Sequence, residues 1–197
     1  VPLPEDHERI LQSARAKGRF LVGYAGAHGI ANALHAFVDA ARFLEHSPVT
    51  LVIVGQGPEK GALRRRAEAC GDRVVFLPPA PRGAIPELLS YCDALYIGLQ
   101  NKTLFRFGTS PNKIFDYAMA AKPIIHAISA PNDIVSEARC GISVRPEDPV
   151  AIAGAIRELI AMEPACRLEM GMRGRDHVIA HYDYQKLAKR FLDEVIK

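Results

Sequence analysis

The chain has 197 residues, 49% of them apolar and 24% charged, and its 25 basic and 22 acidic side chains leave a formal net charge of +3. That length holds one large domain or two small ones and buries a core without disulfide staples. The composition excludes long disorder, collagen and a disulfide scaffold. So mild a charge balance gives no reason to expect nucleic acid, while leaving room for a small basic anion site.

Short apolar runs alternate with helical patterns. Val1 to about Lys17 reads as a lead-in helix or the tail of a linker, and a chain starting at Val1 rather than Met reads as a fragment or a processed product. Phe20–Ala25 is the first strand, and about Ile30 to Glu45 is a helix with Leu34, Phe37, Val38, Ala41 and Leu44 on one stripe. Val49–Val54 is the second strand; Gly55-Gln56-Gly57-Pro58 turns it into a helix that runs to about Cys70. Val74–Leu77 is the third strand, stopped by Pro78-Pro79; a short helix Pro86–Tyr91 and a fourth strand Ala94–Leu99 follow. Ser110-Pro111 opens a helix to Ala121, Pro123–Ala127 is the fifth strand, Ile134–Ala138 a helix and Ile142–Val144 a sixth strand. Helices over about 149–161, 165–180 and 184–196 close the chain.

Strands that are apolar throughout are buried on both faces, and their alternation with helices calls for right-handed crossovers in a parallel sheet. The expected fold is α/β, a doubly wound parallel sheet with helices on both faces, forming one domain over 1–197 with terminal helices over 165–197. Its ligand site belongs at the carboxyl ends of the strands. The four cysteines, Cys70, Cys92, Cys140 and Cys166, have no metal-type spacing and each reads as a buried thiol of a reducing compartment. No apolar run reaches bilayer length and no signal peptide is visible, so the expected location is cytoplasmic.

Chemistry is expected in four segments. In Ser110-Pro111-Asn112-Lys113-Ile114-Phe115-Asp116, Ser110 suits an N-cap and Pro111 the first helical position. The first turn would then present free backbone N–H groups, and Lys113 adds a cation to a positive helix start, a misfit unless an anion sits there. Asp116 shares that face one turn deeper, where it could accept from a ribose diol. A capped helix with a Lys113–Asp116 surface pair fits the same residues. The second segment is the glycine loop Gly26-Ala27-His28-Gly29, which follows a strand without being a dinucleotide or P-loop fingerprint. His28, between glycines and with little to pack against, is expected to face a ligand. The third is Gly55-Gln56-Gly57, and the fourth the proline-stiffened Leu77-Pro78-Pro79-Ala80-Pro81, able to offer backbone groups to a base edge.

In this order, the glycine loop, Leu51 to Pro58, Val75 to Pro78, Cys92 to Leu95, Ser110 to Pro123 and Gly141 to Asp148 resemble the C-terminal donor-binding domain of a GT-B glycosyltransferase of family 4, from about Arg19 to Lys197. The Ser-Pro-Asn-Lys form is similar to that of bacterial surface-polysaccharide enzymes, including transferases of N-acetylated amino sugars. The resemblance implies a Rossmann-like lobe and retaining transfer from a nucleotide-diphospho-sugar, UDP-linked by expectation, to a polysaccharide or lipid-linked acceptor, with neither cofactor nor metal. It implies donor binding by Gly26, His28, Gly29, Gly55, Gly57, Leu77, Pro78, Ser110, Pro111, Asn112, Lys113 and Asp116. The implied partners are the donor and an N-terminal acceptor-binding domain absent from this chain, which would carry the acceptor-side chemistry and any peripheral contact with the inner face of a membrane. This lobe alone is therefore expected to be inactive. Two departures stand out: the first of the family's two acidic positions falls on Gly108, and its loop cations fall near Ala27 and His28. Lys113, with Arg106 or His28, must then meet the diphosphate charge. The departures also suit an alternative, a non-catalytic nucleotide-sugar-binding or scaffold lobe paired with another subunit.

Overall fold

A computed structural model describes residues 1–196; Lys197, the last position of the expected domain, lies outside the described residues. Six strands, β1 (Phe20–Ala25), β2 (Val49–Val54), β3 (Val74–Leu77), β4 (Ala94–Gly98), β5 (Ile124–Ala127) and β6 (Gly141–Ser143), form one sheet in the order β3-β2-β1-β4-β5-β6. Every pairing is parallel, in registers such as Tyr24↔Ile53 and Ile97↔His126. The doubly wound sheet is thus the one expected. Its order reverses between β1 and β4, the crevice where such sheets take ligands.

Alternation of side chains along each strand builds a core on both faces. Val22, Tyr24, Leu51, Ile53 and Tyr96 pack on one side beneath α2 (Leu34–Ala40), α3 (Lys60–Ala67) and α7 (Pro149–Ala161). Leu21, Val52, Val54, Leu95 and Ile97 pack on the other beneath α1 (Glu5–Ala16), α4 (Ile85–Ser90), α5 (Lys113–Met119), α6 (Ile134–Ala138) and α8 (Pro164–His181). The last helix, α9 (Tyr184–Val195), is amphipathic, and Tyr184, Leu187, Phe191, Leu192 and Val195 on its apolar stripe are all exposed. Asp148, Asp133 and Asp183 cap α7, α6 and α9 by accepting from backbone N–H groups of the first turn. No helix is long and apolar enough to cross a membrane among the described residues.

Three local expectations change. The helix after β1 is broken: a single 3₁₀ turn over Ile30–Asn32 ends at Ala33, whose φ is +45°, before α2 starts at Leu34. The cause is Asn32, whose side chain turns to the glycine loop instead of continuing a helical face. Ser110 does not cap α5, which starts at Lys113 with no side-chain cap. The preceding backbone is anchored elsewhere: Thr109 N donates to Asn132 Oδ1 at 2.9 Å, and Asn132 Nδ2 donates back to Thr109 O at 2.6 Å. Cys70, Cys92 and Cys140 are buried as expected, but Cys166 is exposed, because α8 buries only Gly171, Gly174 and Val178.

Gly171 shows how closely α8 sits on the turn that follows α5. A Cβ there would lie 2.1 Å from Ala121 O, so only glycine allows the approach. Gly171→Ala is expected to destabilise the fold by roughly 1–3 kcal/mol, the usual cost of overpacking. Equilibrium urea unfolding checks this; an unchanged midpoint would mean that α8 shifts freely.

Candidate functional site

The site grows from the ends of β1, β2 and β3. Beyond the strands, pairing continues: Gly26 N donates to Val54 O at 3.0 Å, His28 N to Gln56 O at 2.9 Å and Gly55 N to Leu77 O at 3.2 Å. The two glycine loops are thereby pressed together. A Cβ on Gly55 would lie 2.0 Å from Gly26 O, and Gly55 has φ +137°, so no other residue fits there. Lys60 Nζ clamps the join from the far side, donating to Gly55 O at 2.8 Å.

Lys113 reaches this join from α5. Its ammonium donates to Tyr24 Oη at 2.9 Å and Asn32 Oδ1 at 3.1 Å, and lies 4.5 Å from the centre of the Tyr24 ring. A Cβ on Gly26 would meet Nζ at 3.2 Å. Both partners are themselves fixed: Tyr24 Oη donates to Ala27 O at 2.7 Å, and Asn32 Nδ2 to the same oxygen at 3.1 Å. Neither partner of the ammonium is charged, and among the described residues Lys113 has no carboxylate within ion-pair distance. Burial pulls its pKa down to about 8. Of its three N–H groups two are used, which leaves one for a ligand. The Lys113–Asp116 surface pair is therefore absent, and the Asp116 carboxylate is exposed without a hydrogen-bond partner among the described residues.

Two adjoining cavities meet at Ile85. One, of about 290 Å³, is lined by Gly26, Ala27, Gly55, Gln56, Pro79 and Ala80 besides Ile85. The other, of about 470 Å³, lies between α4 and α5 and is lined by Arg82, Pro86, Leu89, Asp116 and Met119 besides Ile85. Together they suit one elongated ligand of small-molecule size. Gly26 and Gly55 of the expected residues line the first and Asp116 the second, while Lys113 lines neither and approaches Gly26 from beside the first.

The remaining expected residues fall elsewhere. His28 is 0% exposed, seated under Gly55 and Gly57 between the rings of Tyr24 and Phe76, so it does not face a ligand. Burial first, and then the charge of Lys60, hold its pKa below the ordinary value. The expectation failed because the ring packs beneath Gly55, whose missing side chain leaves room for it. Gly29 and Gly57 shape the loop backbone and line neither cavity. Leu77 is buried in the core, and the Pro78 carbonyl is engaged by His7; Pro79 and Ala80 are the residues of that loop that line the cavity. Ser110, Pro111 and Asn112 line neither cavity, and the N–H groups of Ile114 and Phe115 already donate to Pro111 O and Asn112 O. Arg106 stacks on Phe107, its guanidinium carbon 4.7 Å from the ring centre. Sequence reasoning missed Asn32 and Tyr24 as partners of Lys113; an asparagine placed before a glycine loop's helix was the available signal. Among the described residues no three His, Cys, Asp or Glu side chains are placed to hold a metal ion.

A family model described as "Glycosyl transferases group 1" matches residues 19–162. No curated protein matches the chain significantly. Among solved structures, the chain is similar to Anabaena Alr3699/HepE in complex with UDP and glucose, with a TM-score of 0.75 and 19% identity, over 98% of this chain and 52% of that one. It is similar to the C-terminal domain of the glycosyl transferase group 1 family protein LpcC from Francisella tularensis, with a TM-score of 0.71 and 19% identity, over 93% and 96%. It is also similar to an E. coli trehalose-6-phosphate structure bound with UDP-2-fluoro glucose, with a TM-score of 0.75 and 15% identity, over 98% and 47%. The chain spans about half the length of the first and third of these.

The lowered pKa of Lys113 links stability to pH. Between about 8 and 10.5 the unfolded chain binds the proton and the folded chain does not, so stability rises with pH across that window. Lys113→Met is expected to be more stable than the unaltered chain at pH 7, by on the order of 2 kcal/mol. The difference should shrink toward pH 10.5, as read from denaturant unfolding at a series of pH values.

Proposed function

Because the chain belongs to the group 1 glycosyl transferases, we propose that it is a nucleotide-sugar donor lobe, with a UDP-sugar as donor. The observation that carries this is Lys113, a partly buried ammonium without a carboxylate, held beside Gly26 at the join of the strand ends. A diphosphate is the counter-charge that offsets its desolvation. Asp116, free and one helical turn away in the adjoining cavity, takes the ribose diol of the same molecule. The base then lies against the wall built by the β3–α4 loop and α4. The solved complexes of Alr3699/HepE with UDP and glucose and of the E. coli structure with UDP-2-fluoro glucose support a uridine donor by similarity of fold.

The full reaction is proposed as retaining transfer to a polysaccharide or lipid-linked acceptor, with a second, acceptor-binding domain supplying the other half of the site. These points rest on the likeness of the ordered segments from Gly26 to Asp148, and an N-acetylated amino sugar as the transferred group rests on the Ser110–Lys113 segment. One observation favours the alternative, a non-catalytic donor-binding or scaffold lobe. Gly108 has φ +101° and its Cβ position lies 3.2 Å from Asn132 Oδ1, so a carboxylate side chain at 108 would meet both backbone strain and the Asn132 clamp.

Calorimetric titration with UDP, with GDP and ADP as controls, tests the reading. Selective UDP binding is expected, weakened at least tenfold by Lys113→Ala and by Asp116→Ala. The affinity should also fall as pH rises above about 8, where Lys113 loses its charge. Unchanged UDP binding in both variants would remove these two roles.

A further inference from the structure

Residues 1–18 lie outside the family match and precede the first strand. In the fold α1 packs on β1 and Arg15 pairs with Asp93, and a set of contacts also ties these residues to the stretch from Pro78 to Tyr91 that walls both cavities. His7 is 3% exposed, and its Nε2 lies 2.9 Å from Pro78 O. A carbonyl only accepts, so Nε2 carries the hydrogen; Nδ1 is buried with no partner among the described residues. Leu3 N donates to Glu87 Oε2 at 2.8 Å, and Tyr91 Oη donates to Glu8 Oε1 at 2.8 Å. Val1 covers Gly83, where a Cβ would lie 3.0 Å from Val1 Cγ2. Leu3 and Leu11, 4% and 0% exposed, share a core with Ala84, Leu88 and Leu89.

Five independent contacts therefore converge on the loop and helix that carry Pro79, Ala80, Arg82, Ile85, Pro86 and Leu89. The β3–α4 loop runs through Pro78, Pro79 and Pro81, which supply no backbone N–H, so it cannot secure itself by a local ladder. Its carbonyl at Pro78 is buried against the imidazole instead. We infer that His7 is a positioning residue for the base side of the nucleotide site: through Pro78 O it fixes where Pro79 and Ala80 stand, and the N-terminal helix thereby completes the cavity wall. This deepens the donor-lobe reading and rests on it for the identity of the ligand, although the brace itself does not.

The division of labour within the site makes the inference specific. Lys113 and Gly26 meet the diphosphate, and neither touches α1; the base side depends on the segment that α1 holds. Loss of the brace should weaken a ligand that carries a base and spare one that is only a diphosphate. Disturbance of the fold as a whole would weaken both.

The experiment compares the unaltered chain with His7→Ala and His7→Gln, the amide of the latter reaching the position of Nε2. Hydrogen exchange is followed at the amides of Ala80, Arg82, Gly83 and Ala84, and UDP and inorganic pyrophosphate are titrated by calorimetry. In His7→Ala, exchange at these amides should quicken and UDP affinity fall about tenfold, while pyrophosphate affinity holds; His7→Gln should restore most of both. Unchanged exchange in His7→Ala overturns the brace whatever UDP does. Parallel losses of UDP and pyrophosphate overturn the positioning role in favour of a general structural one. If the unaltered chain binds neither ligand, the nucleotide reading and the site role of His7 fall together, and faster exchange in His7→Ala would then leave only the contact itself standing.

Discussion

A lysine ammonium held at the strand ends with only a phenol, an amide oxygen and an aromatic face around it is the constraint that orders this molecule's upper surface. Taking a charge out of water without an opposite charge is costly, and each neighbouring feature limits that cost. Tyr24 is anchored to Ala27 O so that its oxygen faces the ammonium; Asn32 is pulled out of a helix to do the same. The helix after β1 breaks at Ala33 in consequence. Bare backbone serves the arrangement twice: a side chain at Gly55 would hold the loops apart, and one at Gly26 would press on the Lys113 side chain and Tyr24 Oη.

The walls of the site differ in how they are held. On the side of Lys113, backbone hydrogen bonds that continue the sheet beyond its strands fix the two glycine loops, and Lys60 locks the join. On the opposite side, three prolines leave the loop after β3 with few donors, and groups far away in sequence secure it. A third anchor, the paired hydrogen bonds between Asn132 and Thr109, sets the approach to α5. It also explains why that helix begins late: the chain is already tied to the β5–α6 loop before it can turn.

Strands and most helices were legible in the sequence because burial on both faces writes itself as unbroken apolar runs, as in Val49–Val54, and because amphipathic stripes such as the one through Leu34 and Phe37 follow helical spacing. The positions of Gly26, Gly55, Lys113 and Asp116 at or beside the cavities were legible too, since they depend on where strands end. What could not be read locally was the partner of each polar group. Lys113 meets Asn32 across 81 residues and His7 meets Pro78 across 71. His28 misled for a related reason: flanking glycines look like freedom in a sequence, but in the fold its ring packs beneath Gly55 of the next loop, whose missing side chain leaves room for it.

The distribution of thiols has a practical side. Cys70, Cys92 and Cys140 are buried, and burial raises Cys92 to about 12 and Cys140 to about 11, so neither of the latter two forms thiolate at neutral pH. Cys166 alone is open to solvent, on the first turns of α8, and lines neither cavity. A maleimide dye added to the natural sequence would thus attach at a single known address. The molecule comes with its own handle for fluorescence or surface immobilisation, positioned where the tag leaves the cleft untouched.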